Sequence, residues 1–294
     1  MAQAAAQLDC VHEGRQLLGE SPIWSVRDEA LYWVDIQAPA IHRLHPASGE
    51  ARTWTLPEPV GSIALRTHGG LLAAMKSGFH FFDPATGGLQ PISDPERHLP
   101  ENRFNDGRCD RAGRFWAGTM SETSRDPVGS LYCLEPTLTV RLVKSGISVP
   151  NSLAWSPDDR VMYFADSSRR AIWAYDFDIA AGDISNQRVF VDGRDYPGVP
   201  DGSTVDADGC LWNAEHGGSR VCRYTPAGRL DRTIELPVTQ PTCCMFGGPR
   251  LETLFITTAR ESLSAEELSA RPLAGAVFAI DVGTSGLPEP AFAG

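Results

Sequence analysis

The sequence predicts an all-β protein, a six-bladed β-propeller with four-stranded antiparallel blades around a central channel. Three observations predict it. A turn-and-strand segment followed by an aromatic-rich strand recurs six times, at Glu20, Gly61, Asn105, Asn151, Asp201 and Thr242, in steps of 41, 44, 46, 50 and 41 residues. A period of about 40–50 residues that holds several strands is the mark of propeller blades. The runs between are short, β-branched or aromatic, and bounded by Gly, Asn, Asp and Pro, the residues that turns demand.

Each unit opens on an inner strand that ends in a turn such as Asp110-Arg111-Ala112-Gly113, Ser156-Pro157-Asp158-Asp159 or Asp206-Ala207-Asp208-Gly209. A second strand carries Trp, Tyr or Phe, as in Leu31–Asp35, Phe115–Gly118, Met162–Asp166, Leu211–Ala214 and Leu254–Thr257. A third follows at Ile41–Pro46, Phe79–Pro84, Ser130–Cys133, Ile172–Asp176, Val221–Tyr224 and Val277–Ile280. Weaker fourth strands read at Ala51–Leu56, Val140–Val143, Arg188–Val191 and Leu230–Leu236. The segment Ala6–Leu17 is expected to supply a strand that closes the ring against the last blade. Only Ser264–Ser269 reads as helix, a capped turn. The expected organisation is one propeller domain over residues 1–294, its blade core running from about 18 to 280.

Composition narrows the function classes. The chain is 42% hydrophobic and 21% charged, which is neither disordered nor membrane-like. A net charge of −11 with dispersed Lys and Arg argues against nucleic acid, whose phosphates need a basic stripe. No run approaches the roughly 18 apolar residues that span a bilayer, so no membrane partner is expected. The N-terminal Met1–Leu8 lacks the basic start and apolar stretch of a signal peptide. Seven cysteines without a CxxC pair then read as free thiols in a reducing cytoplasm. Vicinal Cys243-Cys244 reads as two buried strand residues rather than a redox or soft-metal pair.

The inner strands of a propeller begin at one mouth of its channel, so equivalent repeat positions become neighbours. Four of the six carry metal-ligand side chains: Glu20, Asn105, Asn151 and Asp201. Oxygen-only donors suit a hard divalent cation, with water or substrate completing an open shell. Taken singly, each could merely cap a turn; their joint occurrence in register favours a site. Asp106 and Asp208 lie in similar turn-like sequence, and Asp208 is read as structural.

The motifs Leu18-Gly19-Glu20-Ser21-Pro22-Ile23-Trp24, Asn102-Arg103-Phe104-Asn105-Asp106-Gly107, Ala117-Gly118-Thr119-Met120, Pro150-Asn151-Ser152-Leu153-Ala154 and Pro200-Asp201-Gly202-Ser203 follow one another in this order. With Trp33-Val34-Asp35-Ile36, Gly129-Ser130-Leu131-Tyr132 and Phe246-Gly247-Gly248-Pro249 they span about Leu18 to Phe278. The sequence thereby resembles the SMP-30/gluconolactonase/regucalcin-like propellers. The resemblance implies one divalent metal (Ca, Zn, Mn, Mg or Fe(II)) on Glu20, Asn151 and Asp201. It implies hydrolysis of sugar lactones to the open acids, and contact of Arg103 and Asn105 with substrate. Asp201 would also serve as proton acceptor, although metal coordination lowers its basicity.

Some animal members carry a Glu after the Ala-Gly-Thr-Met motif that reaches the substrate. Here the aligned residue is Thr123, with Glu122 beside it, so both are expected near a pocket that differs from theirs. Glu215-His216-Gly217-Gly218 is a further candidate: His216 would touch substrate or carry protons, or would simply be solvated on a loop rim. The expected partner is a small-molecule sugar lactone, and the chain a monomer or weak homodimer. A calcium-binding regulatory protein without turnover, and a hydrolase of other lactones or phosphotriesters, are the alternatives. Three protein ligands make an open site rather than a buffering cage, which disfavours the first; fold alone does not exclude the second.

Overall fold

The computed structural model describes residues 7–294. Twenty-four strands form six four-stranded antiparallel sheets arranged as the blades of a propeller. The innermost strands are Gly19–Ser25, Val60–Leu65, Asn102–Cys109, Pro150–Trp155, Val199–Val205 and Pro241–Gly247, and they pack neighbour to neighbour around the channel. Being covered on both faces, they are almost wholly buried and lose the polar-apolar alternation of the outer strands.

Ring closure follows the expectation. Asp9–His12 is the outermost strand of blade six and pairs antiparallel with Val277–Asp281, Asp9 opposite Ala279 and Cys10 opposite Phe278. The expected segment began at Ala6, which lies outside the described residues. The four fourth strands read from sequence are present, the longest extended to Asp183–Asp192. A fifth, Gly88–Ser93, went unread because Gly88 and Pro91 disguise it. Pro91 is tolerated because the strand is a sheet edge, where a missing N–H leaves no ladder bond open. The helix is Ala265–Ala270, capped by Ser264 Oγ accepting from the Glu267 N–H while Glu267 accepts from the Ser264 N–H.

Blades pack through aromatic second strands. Trp33, Trp116 and Trp212 are fully buried. Trp116 and Trp212 each donate their indole N–H to the turn aspartates Asp110 and Asp206, at 2.8 Å in both blades. The same carboxylates accept backbone N–H groups of their own turns, so one residue type satisfies turn and core together.

Beyond the repeat, the C-terminal tail crosses the far end of the channel. Gly286 bridges to Asp206 and Phe292 to Arg66, and Phe292 is buried in the core between blades two and three. Glu289 reaches up to Arg108 at 3.5 Å, both side chains being buried. All seven cysteines are free. Cys243 and Cys244 are buried as expected, and neighbours on an extended strand point to opposite faces, which keeps them apart.

Candidate active site

The open end of the channel forms a cavity of about 380 Å³, lined by Glu20, Arg103, Asn105, Asn151, Asp201 and His216 among others. The local cause is shared by all the blades. Each innermost strand breaks register with its neighbour near its start: between Glu20 and Ile23, Phe104 and Gly107, Asn151 and Ala154, and Pro200 and Ser203. Such bulges bend a strand and re-aim its side chains. Glu20 and Asn151 are the last paired residues before the bulge, whereas Asn105 and Asp201 are the first within it. Left-handed backbone at Ser21 (φ 48°) and Ser152 (φ 62°) completes the turn after Glu20 and Asn151.

Two of the six ring positions are silent for physical reasons. At Gly61 a Cβ would stand 2.3 Å from the Phe104 carbonyl oxygen, so blade two can place no side chain there. Thr242 in blade six turns its hydroxyl to the Gly19 carbonyl and to Thr257. The residues beside the ring tie the blades together. Ser21 Oγ accepts from the Ile63 N–H at 3.1 Å, Asp106 accepts from the Leu153 N–H at 2.9 Å, and Ser152 Oγ donates to the Asp201 carbonyl. Asp106 is therefore an interblade staple, and exposed Asp208 pairs with Arg223 at 3.0 Å.

A hydrogen-bonded chain orders the polar face. Arg103 Nη1 donates to Asn105 Oδ1 and to the Phe104 carbonyl, both at 2.8 Å. Asn105 Nδ2 donates to Asn151 Oδ1 at 3.1 Å and to the Pro150 carbonyl at 3.0 Å. Asn151 Nδ2 donates to Ser167 Oγ at 2.8 Å, and Ser167 donates to the Pro200 carbonyl at 2.6 Å. With its nitrogen committed to Ser167, Asn151 presents its oxygen toward Asn105 and the cavity.

Opposite stand two buried carboxyls within hydrogen-bonding reach of each other, Glu20 and Asp201. Burial, followed by the charge of Asp106, raises Glu20 from 4.5 to about 8, against one backbone hydrogen bond from Ser21 at 2.9 Å. Burial and the Glu20 charge push Asp201 well above the usual carboxylate range. Two such groups side by side require a proton or a cation between them. Two carboxylates and one amide oxygen make an all-oxygen donor set fitting a hard divalent ion. No three Asp, Glu, His or Cys groups among the described residues form a ready cage; the amide of Asn151 would supply the third oxygen of such a set.

The remaining candidates divide. Glu122 lines the cavity, its carboxylate paired with Lys76 and 4.0 Å from the Arg103 Nε. Thr123 is exposed on the rim, its N–H donating to Ser121 Oγ at 3.2 Å, and it is not part of the cavity wall. His216 ends the strand Leu211–His216 and is half-buried, so it is no solvated loop residue; burial, then Arg125, lowers its pKa. Its neighbour Glu215 turns away to accept from the Gly198 N–H at 2.7 Å and Arg220 Nε at 2.8 Å.

Sequence reasoning missed Glu261, Arg125, Ser168 and Gln37, which also line the cavity. Most share a signal: they follow the end of a blade's second strand, as Gln37 follows Asp35, Ser168 follows Asp166 and Glu261 follows Thr258. The repeat thus carries a second address at the mouth, one position outward from the inner ring.

The model of the SMP-30/Gluconolactonase/LRE-like region matches residues 18–260. Over 98% of this chain and 99% of the relative, the sequence is 40% identical to a 6-deoxy-6-sulfogluconolactonase of Pseudomonas putida. It is 35% identical to the regucalcin of Gallus gallus, covering 99% of this chain and all of that one. The crystal structure of a regucalcin from Agrobacterium tumefaciens, described as a calcium-binding protein, superposes with a TM-score of 0.93 at 33% identity, over 96% of each chain. Matching motifs, propeller and near full-length likeness agree: the chain belongs to the SMP-30/gluconolactonase/LRE-like family.

Proposed function

We propose that this protein is a lactonase that hydrolyses a sugar aldonolactone, of gluconolactone, xylonolactone or arabinonolactone type, to the aldonic acid, using one divalent metal held by Glu20, Asn151 and Asp201. The observation that carries the reading is the buried Glu20–Asp201 pair beside the oriented Asn151 oxygen, at the floor of a cavity of sugar size. The relatives' names support the substrate class, and a relative described as calcium-binding supports the metal.

When bound, the metal would supply electrophilic activation of the lactone carbonyl and stabilise the negative charge that develops on it. The chain's own groups do the rest. Arg103 presents its remaining guanidinium N–H groups to the ring oxygen and hydroxyls of the substrate, and Asn105, whose own N–H groups go to Asn151 and the Pro150 carbonyl, meets the substrate beside it through its amide oxygen. Leu18, Met120, Val149 and Val199 supply apolar wall beside the polar floor. The Asp201 carboxylate accepts a proton from that water and returns it to the departing ring oxygen. His216, whose pKa burial lowers, accepts or donates a hydrogen bond to the sugar from the cavity wall. Seven free cysteines fit a reaction carried out in the cytoplasm.

The test is a pH-indicator hydrolysis screen of several aldonolactones against metal-stripped protein, re-supplied with Ca²⁺, Mg²⁺, Mn²⁺, Zn²⁺ or Fe²⁺ in turn. Activity restored by at least one ion is expected. Full activity after rigorous metal removal sinks the metal assignment, and tight Ca²⁺ binding without turnover of any lactone favours a regulatory calcium binder instead.

A further inference from the structure

We propose that Arg125 recognises an anionic substituent, a sulfonate or phosphate oxyanion, at the end of the sugar lactone that faces out of the cavity. The inference rests on the lactonase reading and narrows its substrate class. Two arginines line the cavity although the chain as a whole carries −11. Arg103 and Arg125 line it together with Glu122 and Glu261, and Lys76 pairs with Glu122.

The other charges are committed. Lys76 is paired with Glu122. Arg103 is buried and spends Nη1 on Asn105 and the Phe104 carbonyl, with Glu122 at 4.0 Å from its Nε. Burial raises the pKa of Glu261 against the pull of Arg103 and Arg125. Arg125 lines the same cavity, and among the described residues it joins neither mouth ion pair nor any hydrogen bond.

Arg125 is exposed, but the loop that carries it is folded. The loop after Phe115–Ser121 is stapled by Ser121 Oγ, which accepts from the Thr123 and Ser124 N–H groups at 3.2 and 3.1 Å. Ser124 Oγ accepts in turn from the Asp126 N–H at 3.2 Å, so Arg125 stands at the tip of a folded loop. Arg103, Glu261 and His216 line the same cavity from three blades. A guanidinium on the cavity wall, with its planar donor fork free of hydrogen bonds among the described residues, suits bidentate capture of a tetrahedral oxyanion. Since the reacting carbonyl belongs at the floor, the group so captured is the one farthest from it, at C6 of a hexonolactone.

The experiment compares kcat/KM for glucono-1,5-lactone, 6-phosphoglucono-1,5-lactone and 6-deoxy-6-sulfoglucono-1,5-lactone, using the wild type, Arg125→Ala and Arg125→Glu. The wild type is expected to favour at least one anionic lactone over the neutral parent by about tenfold. Which of the two it favours identifies the source of the oxyanion. Arg125→Ala should bring that ratio near one and Arg125→Glu below it. The preference should also shrink as salt rises, whereas the neutral lactone is insensitive. Equal kcat/KM for all three lactones in the wild type, or a preference that survives Arg125→Glu, overturns the inference alone. Hydrolysis of none of them overturns the inference, while the wider aldonolactone screen decides the lactonase reading separately.

Discussion

Replacing Glu20 by glutamine should make the metal-stripped protein more stable at pH 8, although it removes a proposed metal ligand. In the fold the Glu20 carboxyl is buried beside Asp201 and Asp106, and its pKa rises from 4.5 to about 8. Below pH 4.5 it is protonated in both folded and unfolded chains, and the burial carries no penalty. Between 4.5 and 8 the folded form holds a proton that the unfolded chain releases, so stability falls as pH rises through that window. At about 1.4 kcal/mol per pH unit the loss amounts to about 5 kcal/mol by pH 8. For a chain of this length that is roughly 10 °C in melting temperature. Glutamine keeps the acceptor for the Ser21 N–H and carries no charge, so its variant should lose the Glu20 share of the slope and keep the share of Asp201, which burial also raises. Calorimetric scans from pH 5 to 8 in chelator, with and without added divalent ion, measure this. The ion should flatten the wild-type slope and leave the variant unmoved. A wild-type melting temperature independent of pH in chelator, or a variant no more stable than wild type at pH 8, refutes the reasoning.

Other outcomes are as specific. Asn151→Ala and Asp201→Ala should each lower kcat/KM for an aldonolactone by about a hundredfold or more with circular dichroism unchanged, since each removes an oxygen from the charged floor. His42, stacked on Trp33 and lowered by burial to about 4, should be neutral in the fold when the unfolded chain is already protonated. Stability should therefore fall by about 3 kcal/mol as pH drops from 6.5 to 4. His42→Gln should abolish this loss; the opposing Glu20 slope makes the Glu20→Gln background the clean place to measure it. Phe292→Ala, at a fully buried position of the C-terminal tail, should cost about 3–5 kcal/mol in urea unfolding while the second strands keep their tryptophan fluorescence.

Much of the architecture was legible because a repeat states its own period. The turn aspartates, the aromatic second strands and Asp9–His12 as the closing strand all follow from local chemistry and ring topology. Gly88–Ser93 was not legible, because an edge strand is held by its neighbour rather than by its own propensity. The tail was equally silent. Nothing local in Gly286–Gly294 says that Phe292 fills a core formed some two hundred residues earlier.

For the site, sequence alone determined which residues share an address: Glu20, Asn105, Asn151 and Asp201 fall at equivalent blade positions and therefore meet at one mouth. Which of them face the cavity as free oxygens was decided only in three dimensions. Register breaks aim them, the Phe104 carbonyl forbids a side chain at Gly61, and Ser167 fixes the Asn151 amide. The same holds for charge. Composition showed a chain of −11, whereas the fold gathered Arg103, Arg125 and Lys76 around the rim and buried two carboxyls side by side beneath them. Proximity of that kind is set by bulges and loop staples between distant strands, and its energy exists only once those strands have met.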